Sequence, residues 1–194
     1  MRRSLSPARR EAERTIGPGL PGQNVSLTVE PSIPSRPYSL ASAAGNPRME
    51  VLFDLVPQGL LTPRLAALEA GDPLFVSPAF GGFLDDERPA TWIAAGTGVA
   101  PFASMVRSRL VRDKILVHGS RSPDGLYFRE LFTARLGPRY IPCFGGLASW
   151  IRESPLAPER RYLLCGSTPM VLEVRDMLMA RGVPFENIIA EIYF

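Results

Sequence analysis

The chain has 194 residues, 45% of them apolar and 21% charged, a length that permits one large domain or two small ones with a stable core. Two cysteines, Cys143 and Cys165, exclude a disulfide framework and a four-thiolate cluster, and the single His118 excludes a His-rich metal site, so we predict no metal centre. The net charge of +3 is too weak to indicate nucleic-acid binding, and no apolar stretch has the length of a membrane span.

Residues 1–20 are predicted to form a basic leader with little ordered structure. Its first sixteen residues include five arginines and no apolar core, which does not match a secretory signal. An organelle transit segment and a start codon assigned within a shortened reading frame are the alternatives. We expect a cytoplasmic protein that does not bind membranes or nucleic acid.

The first half of the chain has the pattern of a β domain. Residues 24–30 alternate between apolar and polar side chains, the period of a half-buried strand. Further strands are predicted at 38–42, 49–56 and 73–77. Residues 62–68 have helical spacing, with Thr62 as the predicted N-cap. Short strands separated by frequent turns are typical of a small antiparallel β-barrel.

Beyond residue 89 the chain alternates between strands and helices, which predicts a parallel sheet covered on both faces. The predicted strands are 91–95, 115–117, 140–143, 161–165 and 188–192. The predicted helices are 101–110, 127–136 and 168–181. We therefore expect an antiparallel β-barrel domain at 21–88 and an α/β domain at 89–194.

Two junctions between a strand and a helix carry glycines. Gly96-Thr97-Gly98 follows one predicted strand, and Cys165-Gly166-Ser167 repeats the arrangement at another. The amides of such turns can approach a phosphate group. However, a GTG triplet also makes an ordinary tight turn, and it is neither GxGxxG nor GxxxxGKS. Similarly, a buried structural cysteine is the commoner role for a residue such as Cys165.

Arg36-Pro37-Tyr38-Ser39 combines a cation, an aromatic ring and a hydroxyl on one extended segment. Arg36 and Tyr38 share one face of the predicted strand, and Ser39 lies on the other. These groups suit a flat aromatic ligand that carries a pyrophosphate. An ordinary edge strand is the alternative.

Six segments together resemble the ferredoxin/flavodoxin–NADP⁺ reductases, and in particular the short bacterial type. They are RPYSLAS (36–42), LVPQGLLTPRL (55–65), AAGTGVAPF (94–102), VHGSR (117–121), LLCGSTPM (163–170) and EIYF (191–194). The resemblance extends from about Gly22 to Phe194. It implies an FAD-binding barrel and an NAD(P)-binding domain. The implied enzyme transfers electrons between NADPH, or NADH, and a ferredoxin or flavodoxin.

The resemblance also implies roles for individual residues of the β domain. Arg36 would bind the FAD pyrophosphate, Tyr38 would stack on the isoalloxazine, and Ser39 would form a hydrogen bond near flavin N5. A second pyrophosphate-binding loop would consist of Gly59, Leu60, Leu61 and Thr62.

In the α/β domain the resemblance assigns the nucleotide-binding turns. Thr97 would face the flavin, while the backbone of Gly96 and Gly98 would receive the nicotinamide nucleotide. Arg121 would contact the NADP phosphates. Independently of the resemblance, the second glycine turn, at Gly166 and Ser167, has the same geometry, and two such junctions at one sheet edge would form the crevice in which open α/β sheets bind ligands.

The implied catalytic residues are Ser39, Cys165, Glu191 and Tyr193. Cys165 would lie beside the nicotinamide, and Glu191 would help to position it and relay protons. Tyr193 would cover the other face of the flavin and move aside for the nicotinamide. Phe194 would pack toward the adenine half.

Two departures from the family pattern leave alternatives open. Phe144 and Gly146 stand where relatives have the arginines that hold the 2′-phosphate of NADP, so the choice between NADPH and NADH is open. In addition, the predicted barrel is short of one or two strands at its start. The alternatives are an NADH-dependent reductase partner of an oxygenase and a non-catalytic nucleotide-binding module with an incomplete flavin barrel.

Overall fold

A computed structural model describes residues 19–193 of the chain. Residues 1–18 of the predicted leader and the predicted site residue Phe194 lie outside this range. The described residues form a three-stranded antiparallel sheet followed by a five-stranded parallel sheet with helices. Within residues 19–193, no helix has both the length and the apolar character needed to cross a membrane.

The first sheet contains β1 (Asn24–Thr28), β2 (Arg36–Ser39) and β3 (Phe75–Val76), in the order β2-β1-β3. Val25 and Leu27 of β1 are buried, as the alternating pattern predicted. The predicted antiparallel β architecture is confirmed. Within the described residues its strands form an open sheet and not a closed barrel.

Two local predictions for this domain are wrong. Residues 49–56 do not form a strand: only Val51 pairs, through an isolated bridge to Leu40. An apolar segment becomes a strand only where a neighbour completes its hydrogen-bond ladder. Helix α1 (Thr62–Ala67) is present, but its N-cap is Leu61. The Thr62 hydroxyl instead accepts a hydrogen bond from the Val56 N–H at 2.9 Å.

The second sheet consists of β4 (Ala90–Ala95), β5 (Lys114–Ser120), β6 (Tyr140–Phe144), β7 (Arg161–Ser167) and β8 (Ile188–Tyr193). These strands are parallel, in the order β6-β5-β4-β7-β8. The order reverses between β4 and β7, and sheets of this kind bind ligands in the crevice at such a point.

Helices cover both faces of this sheet, as predicted. They are α2 (Ala100–Arg107), α3 (Arg129–Leu136), α4 (Leu147–Glu153) and α5 (Thr168–Ala180). Trp92 packs with Phe102 and Phe132 on the side of α2 and α3, while its neighbour Ile93 packs on the side of α4 and α5. Helix α4 was not predicted, because seven residues are too few to establish a helical period.

Helix α2 also contacts the β domain. Arg107 Nη1 lies 2.8 Å from Glu50 Oε2 and donates to the Ala41 carbonyl at 2.6 Å. The buried Ser104 hydroxyl donates to the Ser42 carbonyl at 2.6 Å. These bonds hold the two sheets together. The predicted domain boundary near residue 89 stays a prediction.

The only lysine of the chain, Lys114, is buried at the start of β5. Its Nζ lies 2.7 Å from Asp85 Oδ1 and 2.5 Å from the Arg88 carbonyl, and both side chains of the ion pair are almost fully buried. Trp92 Nε1 donates to the second Asp85 oxygen at 3.3 Å. The pair therefore ties the segment before β4 to the parallel sheet.

We expect Asp85→Asn to destabilise the protein by about 3–5 kcal/mol, because it leaves the Lys114 ammonium buried without its counter-charge. The free energy of unfolding in urea, followed by tryptophan fluorescence, measures this loss. The double variant Asp85→Leu/Lys114→Met removes both charges and should lose less. An equal loss in the double variant would contradict the assignment to an uncompensated charge.

His118 is fully buried on β5, where its ring meets Phe132 edge-on and its Nδ1 lies 3.2 Å from the Tyr140 hydroxyl. Burial lowers the pKa of His118 to about 4 and raises the pKa of Tyr140 to about 12. Nε2 has no partner among the described residues. The imidazole is therefore a neutral core group at neutral pH.

Because the folded-state pKa of His118 lies below its unfolded value of about 6.5, the unfolded chain binds the proton more tightly. We expect this residue to cost nothing above pH 6.5 and about 3 kcal/mol of stability at pH 4. His118→Asn does not titrate there and should lack this component of the pH dependence. Urea unfolding of both proteins at pH 7 and pH 4.5 tests this, and parallel losses would contradict it.

Candidate functional site

Three strands from the two sheets bring the predicted catalytic residues together. Ser39 Oγ lies 2.6 Å from Tyr193 Oη and 2.8 Å from Glu191 Oε2. Cys165, which is opposite Glu191 in the register of β7 and β8, has its Sγ 3.9 Å from the same carboxyl oxygen. We call these residues, together with Asn24, the Ser39 cluster.

Asn24 was missed by the sequence analysis as a site residue. It is opposite Ser39 in the register of β1 and β2, and its Oδ1 accepts a hydrogen bond from Ser39 Oγ at 2.8 Å. Its Nδ2 donates to Glu191 Oε1 at 2.6 Å. The one feature of the sequence that could have indicated a functional role for Asn24 is that asparagine is uncommon in β-strands.

The thiol and phenol of the Ser39 cluster are neutral at neutral pH. Burial, and secondly the Glu191 carboxylate, raise the pKa of the Cys165 thiol well above its usual range. Burial is also the main cause that raises the pKa of Tyr193. A thiol in this state is a poor nucleophile, so the cluster is suited to hydrogen bonding rather than to covalent catalysis.

The predicted glycine turn forms one 3₁₀ turn, Gly96–Val99, that leads into α2. A Cβ at Gly98 would lie 2.3 Å from the Cys165 carbonyl oxygen, so the glycine is required for close packing of the turn against β7. Thr97 is half-buried beside it. At the second junction, Gly166 is buried and the exposed Ser167 is the N-cap of α5.

We expect Gly98→Ala to destabilise the protein by at least about 2 kcal/mol, because the atoms in its way are backbone and cannot turn aside. Gly82→Ala is the matched control, since a Cβ at Gly82 would meet no atom within 4 Å and its φ is not positive. Urea unfolding of both variants measures the difference. Equal stability would contradict the packing requirement.

The residues predicted to bind FAD lie on β2 and on the loop before α1. Arg36 is exposed, and the Tyr38 ring is half-buried with Phe53 edge-on at 6.0 Å. Burial raises the pKa of Tyr38, so its phenol is neutral. In the loop, the Gly59 N–H donates to the Val56 carbonyl at 2.9 Å. Of the remaining loop residues, Leu60 is exposed and Leu61 is buried. The Thr62 hydroxyl accepts a hydrogen bond from the Val56 N–H.

Arg121 and Phe144 lie at the other end of the parallel sheet's carboxyl edge. Arg121 is exposed in the loop after β5, and Phe144 ends β6 with 53% of its surface exposed. Gly145 and Gly146 follow with φ of +85° and +113°, a backbone that favours glycine. Residues 140–150 contain no charged side chain.

The groups on β2 fit a flat cofactor that carries a pyrophosphate. The Arg36 guanidinium is solvent-exposed, and the Tyr38 ring lies two residues further on the same face of the strand. An exposed guanidinium can bind phosphate oxygens in pairs, and a neutral aromatic ring can stack on a planar heterocycle. A guanidinium and an aromatic ring in this arrangement match the pyrophosphate and the planar ring system of FAD.

Comparison with known proteins agrees with this fold. Residues 92–136 match the family described as the oxidoreductase NAD-binding domain. The flavodoxin/ferredoxin–NADP reductase of Escherichia coli K12 is 36% identical over a 161-residue alignment that covers 78% of this chain and 62% of that protein. The electron transfer component of toluate 1,2-dioxygenase from Pseudomonas putida is 28% identical over 87% of this chain and 56% of its own length.

A solved structure shares the fold. The ferredoxin NADP⁺ reductase of Neisseria gonorrhoeae, with bound FAD and NADP, superposes with a TM-score of 0.84 at 21% identity, over 94% of this chain and 90% of that one. The second half of the chain thus resembles an oxidoreductase NAD-binding domain over residues 92–136. The chain is related to the ferredoxin/flavodoxin–NADP⁺ reductases, so the resemblance seen in its motifs is confirmed. It spans about three fifths of the length of the curated relatives it matches.

Proposed function

We propose that this protein is an FAD-dependent oxidoreductase that transfers electrons between NADPH or NADH and a ferredoxin or flavodoxin. The observation that carries the proposal is the Ser39 cluster, because it joins Ser39 of the β domain to Cys165, Glu191 and Tyr193 of the α/β domain. A protein that only binds a nucleotide has no need of such a polar contact between its domains.

FAD, when bound, would accept a hydride from the nicotinamide and return single electrons to a carrier protein. On this proposal Arg36 binds its pyrophosphate and Tyr38 stacks on its ring. Because the Gly59 N–H already donates to the Val56 carbonyl, the amides of residues 60–62 would add to the pyrophosphate site. Thr97 and the turn at Gly96 and Gly98 receive the nicotinamide nucleotide.

The residues of the Ser39 cluster would then position the reacting groups. Ser39 presents a hydroxyl to the flavin, and Glu191 holds that hydroxyl through a 2.8 Å hydrogen bond. Cys165, which stays a neutral thiol, packs beside the nicotinamide. Tyr193 covers the site until the nicotinamide displaces its ring, which keeps water from the reaction.

The proposed electron carrier is an acidic protein. The chain carries a net charge of +3, and every exposed basic side chain is an arginine, because its one lysine is buried. Attraction between opposite charges raises the rate at which two proteins associate, and added salt screens this attraction. Ferredoxins and flavodoxins are the carriers that the resemblance implies.

We expect the purified chain, after incubation with FAD, to retain a yellow chromophore and to reduce ferricyanide with NADPH or NADH. Absorption spectra during titration with each dinucleotide test flavin binding, reduction and nucleotide preference together. Arg36→Ala should weaken FAD binding about 10- to 100-fold, because it removes a charge-assisted contact. Arg112→Ala is the control, since it removes one positive charge from a side chain that is 96% exposed.

Two results would overturn the proposal. A folded chain that binds no FAD is not a flavoenzyme of this family. A chain that binds FAD, but whose flavin neither dinucleotide reduces, is a binding module instead.

A second candidate is the NADH-dependent reductase partner of an oxygenase. Two observations favour it: the similarity to the toluate dioxygenase component over 87% of the chain, and the absence of charge from residues 140–150. The 2′-phosphate of NADPH needs a cation, and among the exposed loops at this edge Arg121 supplies one. Faster reduction by NADH than by NADPH in the titration above would favour this candidate.

A further inference from the structure

Asn24 belongs to the Ser39 cluster, although none of the motifs behind the proposed function contains it. Its backbone is held on both sides: its N–H donates to the Phe80 carbonyl at 2.8 Å, and its carbonyl accepts from the Phe80 N–H at 2.9 Å. On the other side it is opposite Ser39. Its side chain, 9% exposed, therefore projects from a fixed backbone toward β8.

Asn24 and Ser39 each hold a different oxygen of the Glu191 carboxyl group. Asn24 Nδ2 lies 2.6 Å from Oε1, and Ser39 Oγ lies 2.8 Å from Oε2. Rotation of the carboxyl group would break both bonds. Because Oε2 is also the oxygen that accepts from the Cys165 thiol, the hydrogen bond from Asn24 helps to fix the geometry of the cluster.

A count of hydrogens shows a second contribution of Asn24. The contacts among Asn24, Ser39, Glu191 and Tyr193 number four, and each needs one hydrogen. With Glu191 ionised, the amide, the hydroxyl and the phenol supply three. When the phenol donates to Ser39 Oγ, the Ser39 hydrogen must be shared between Glu191 Oε2 and Asn24 Oδ1.

A proton on Glu191 supplies the fourth hydrogen. In that state Glu191 Oε2 donates to Ser39 Oγ, and the Ser39 hydroxyl turns to Asn24 Oδ1. Both states of the carboxyl group then leave the buried Ser39 with a hydrogen-bond acceptor. Without Asn24 Oδ1, that hydroxyl could donate only to Tyr193 Oη, and the phenol would then have to turn its own hydrogen away from Ser39 Oγ, at an energetic cost.

We propose that Asn24 is a positioning residue that fixes the Glu191 carboxyl group and lets the Ser39–Glu191 hydrogen bond reverse direction when Glu191 gains or loses a proton. The proposal rests on the proposed function, in which Ser39 and Glu191 face the reacting groups. The other groups that face Glu191 are Cys165 and Tyr193, both neutral near pH 7. The Ser39 hydroxyl orientation thus follows the charge of Glu191.

The test compares Asn24→Asp with Asn24→Leu by the pH dependence of dinucleotide oxidation. An ionised carboxylate at position 24 repels Glu191, whereas its protonated form can donate to Oε1 as the amide does. We expect the kcat of Asn24→Asp to fall about 10-fold at pH 8 and to recover to within about twofold of the unsubstituted protein at pH 5. The KM for the dinucleotide should change by less than about twofold. Asn24→Leu should show no recovery at low pH.

Ser104→Ala is the matched control, because it removes another buried hydrogen bond between the two domains and leaves the contacts of Glu191 intact. Its pH profile should match that of the unsubstituted protein. If Asn24→Asp instead loses activity equally at pH 5 and pH 8, in proportion to its loss of unfolding free energy, Asn24 has only a structural role and the proposal is overturned.

A second measurement does not depend on activity. In the ¹⁵N-labelled, cofactor-free protein, the side-chain Nδ2 hydrogens of Asn24 should exchange with solvent at least about 10 times more slowly than in Glu191→Leu, which lacks their acceptor. Equal exchange rates would overturn the proposal. The two failures can be told apart. If the exchange is slow as expected but the unsubstituted protein oxidises neither dinucleotide, the proposed function is wrong, whereas the hydrogen bond between Asn24 and Glu191 is confirmed.

Discussion

The contact of Glu191 with Ser39 and Asn24 is the interaction on which the candidate site depends. It joins the edge strand β8 of the parallel sheet to two paired strands of the antiparallel sheet. Side chains alternate along a strand, so a shift of one residue in the pairing of β1 with β2 would turn one of the two away from Glu191. The bonds from Arg107 and Ser104 to residues 41–50 hold the sheets in the position that this contact needs.

The Ser39 cluster is polar but contains little charge. Burial keeps the Cys165 thiol and the Tyr193 phenol neutral, which leaves the Glu191 carboxyl as the acidic group that they surround. Hydrogen bonds in such a water-poor site are stronger and more directional than in solvent. The arrangement is therefore suited to orienting a ligand and directing protons, which is the contribution a protein makes when a cofactor carries the chemistry.

Much of the fold could be predicted because the parallel strands are short apolar runs and α5 is a long helix. The failures have local causes. Residues 49–56 look like a strand but lack a pairing partner, and α4 is too short to show a period. At the site, the resemblance identified Ser39 and Glu191 by their motifs. Asn24 has no such motif, because its contact is with Glu191, which lies 167 positions away in the chain.

The two ends of the crevice are built differently. At the switch point, the turn at Gly98 is packed so closely against Cys165 that no side chain fits, and the Ser39 cluster is buried beside it. At the ends of β5 and β6, Arg121 lies on an exposed loop and Phe144 is an exposed strand end. The glycines after Phe144 have open space around them, although their positive φ favours glycine. Substitutions on these loops meet few packing constraints, whereas those at the switch point disturb the core. On the proposed function, the choice between NADPH and NADH can therefore change without disturbing the geometry that positions the reacting groups.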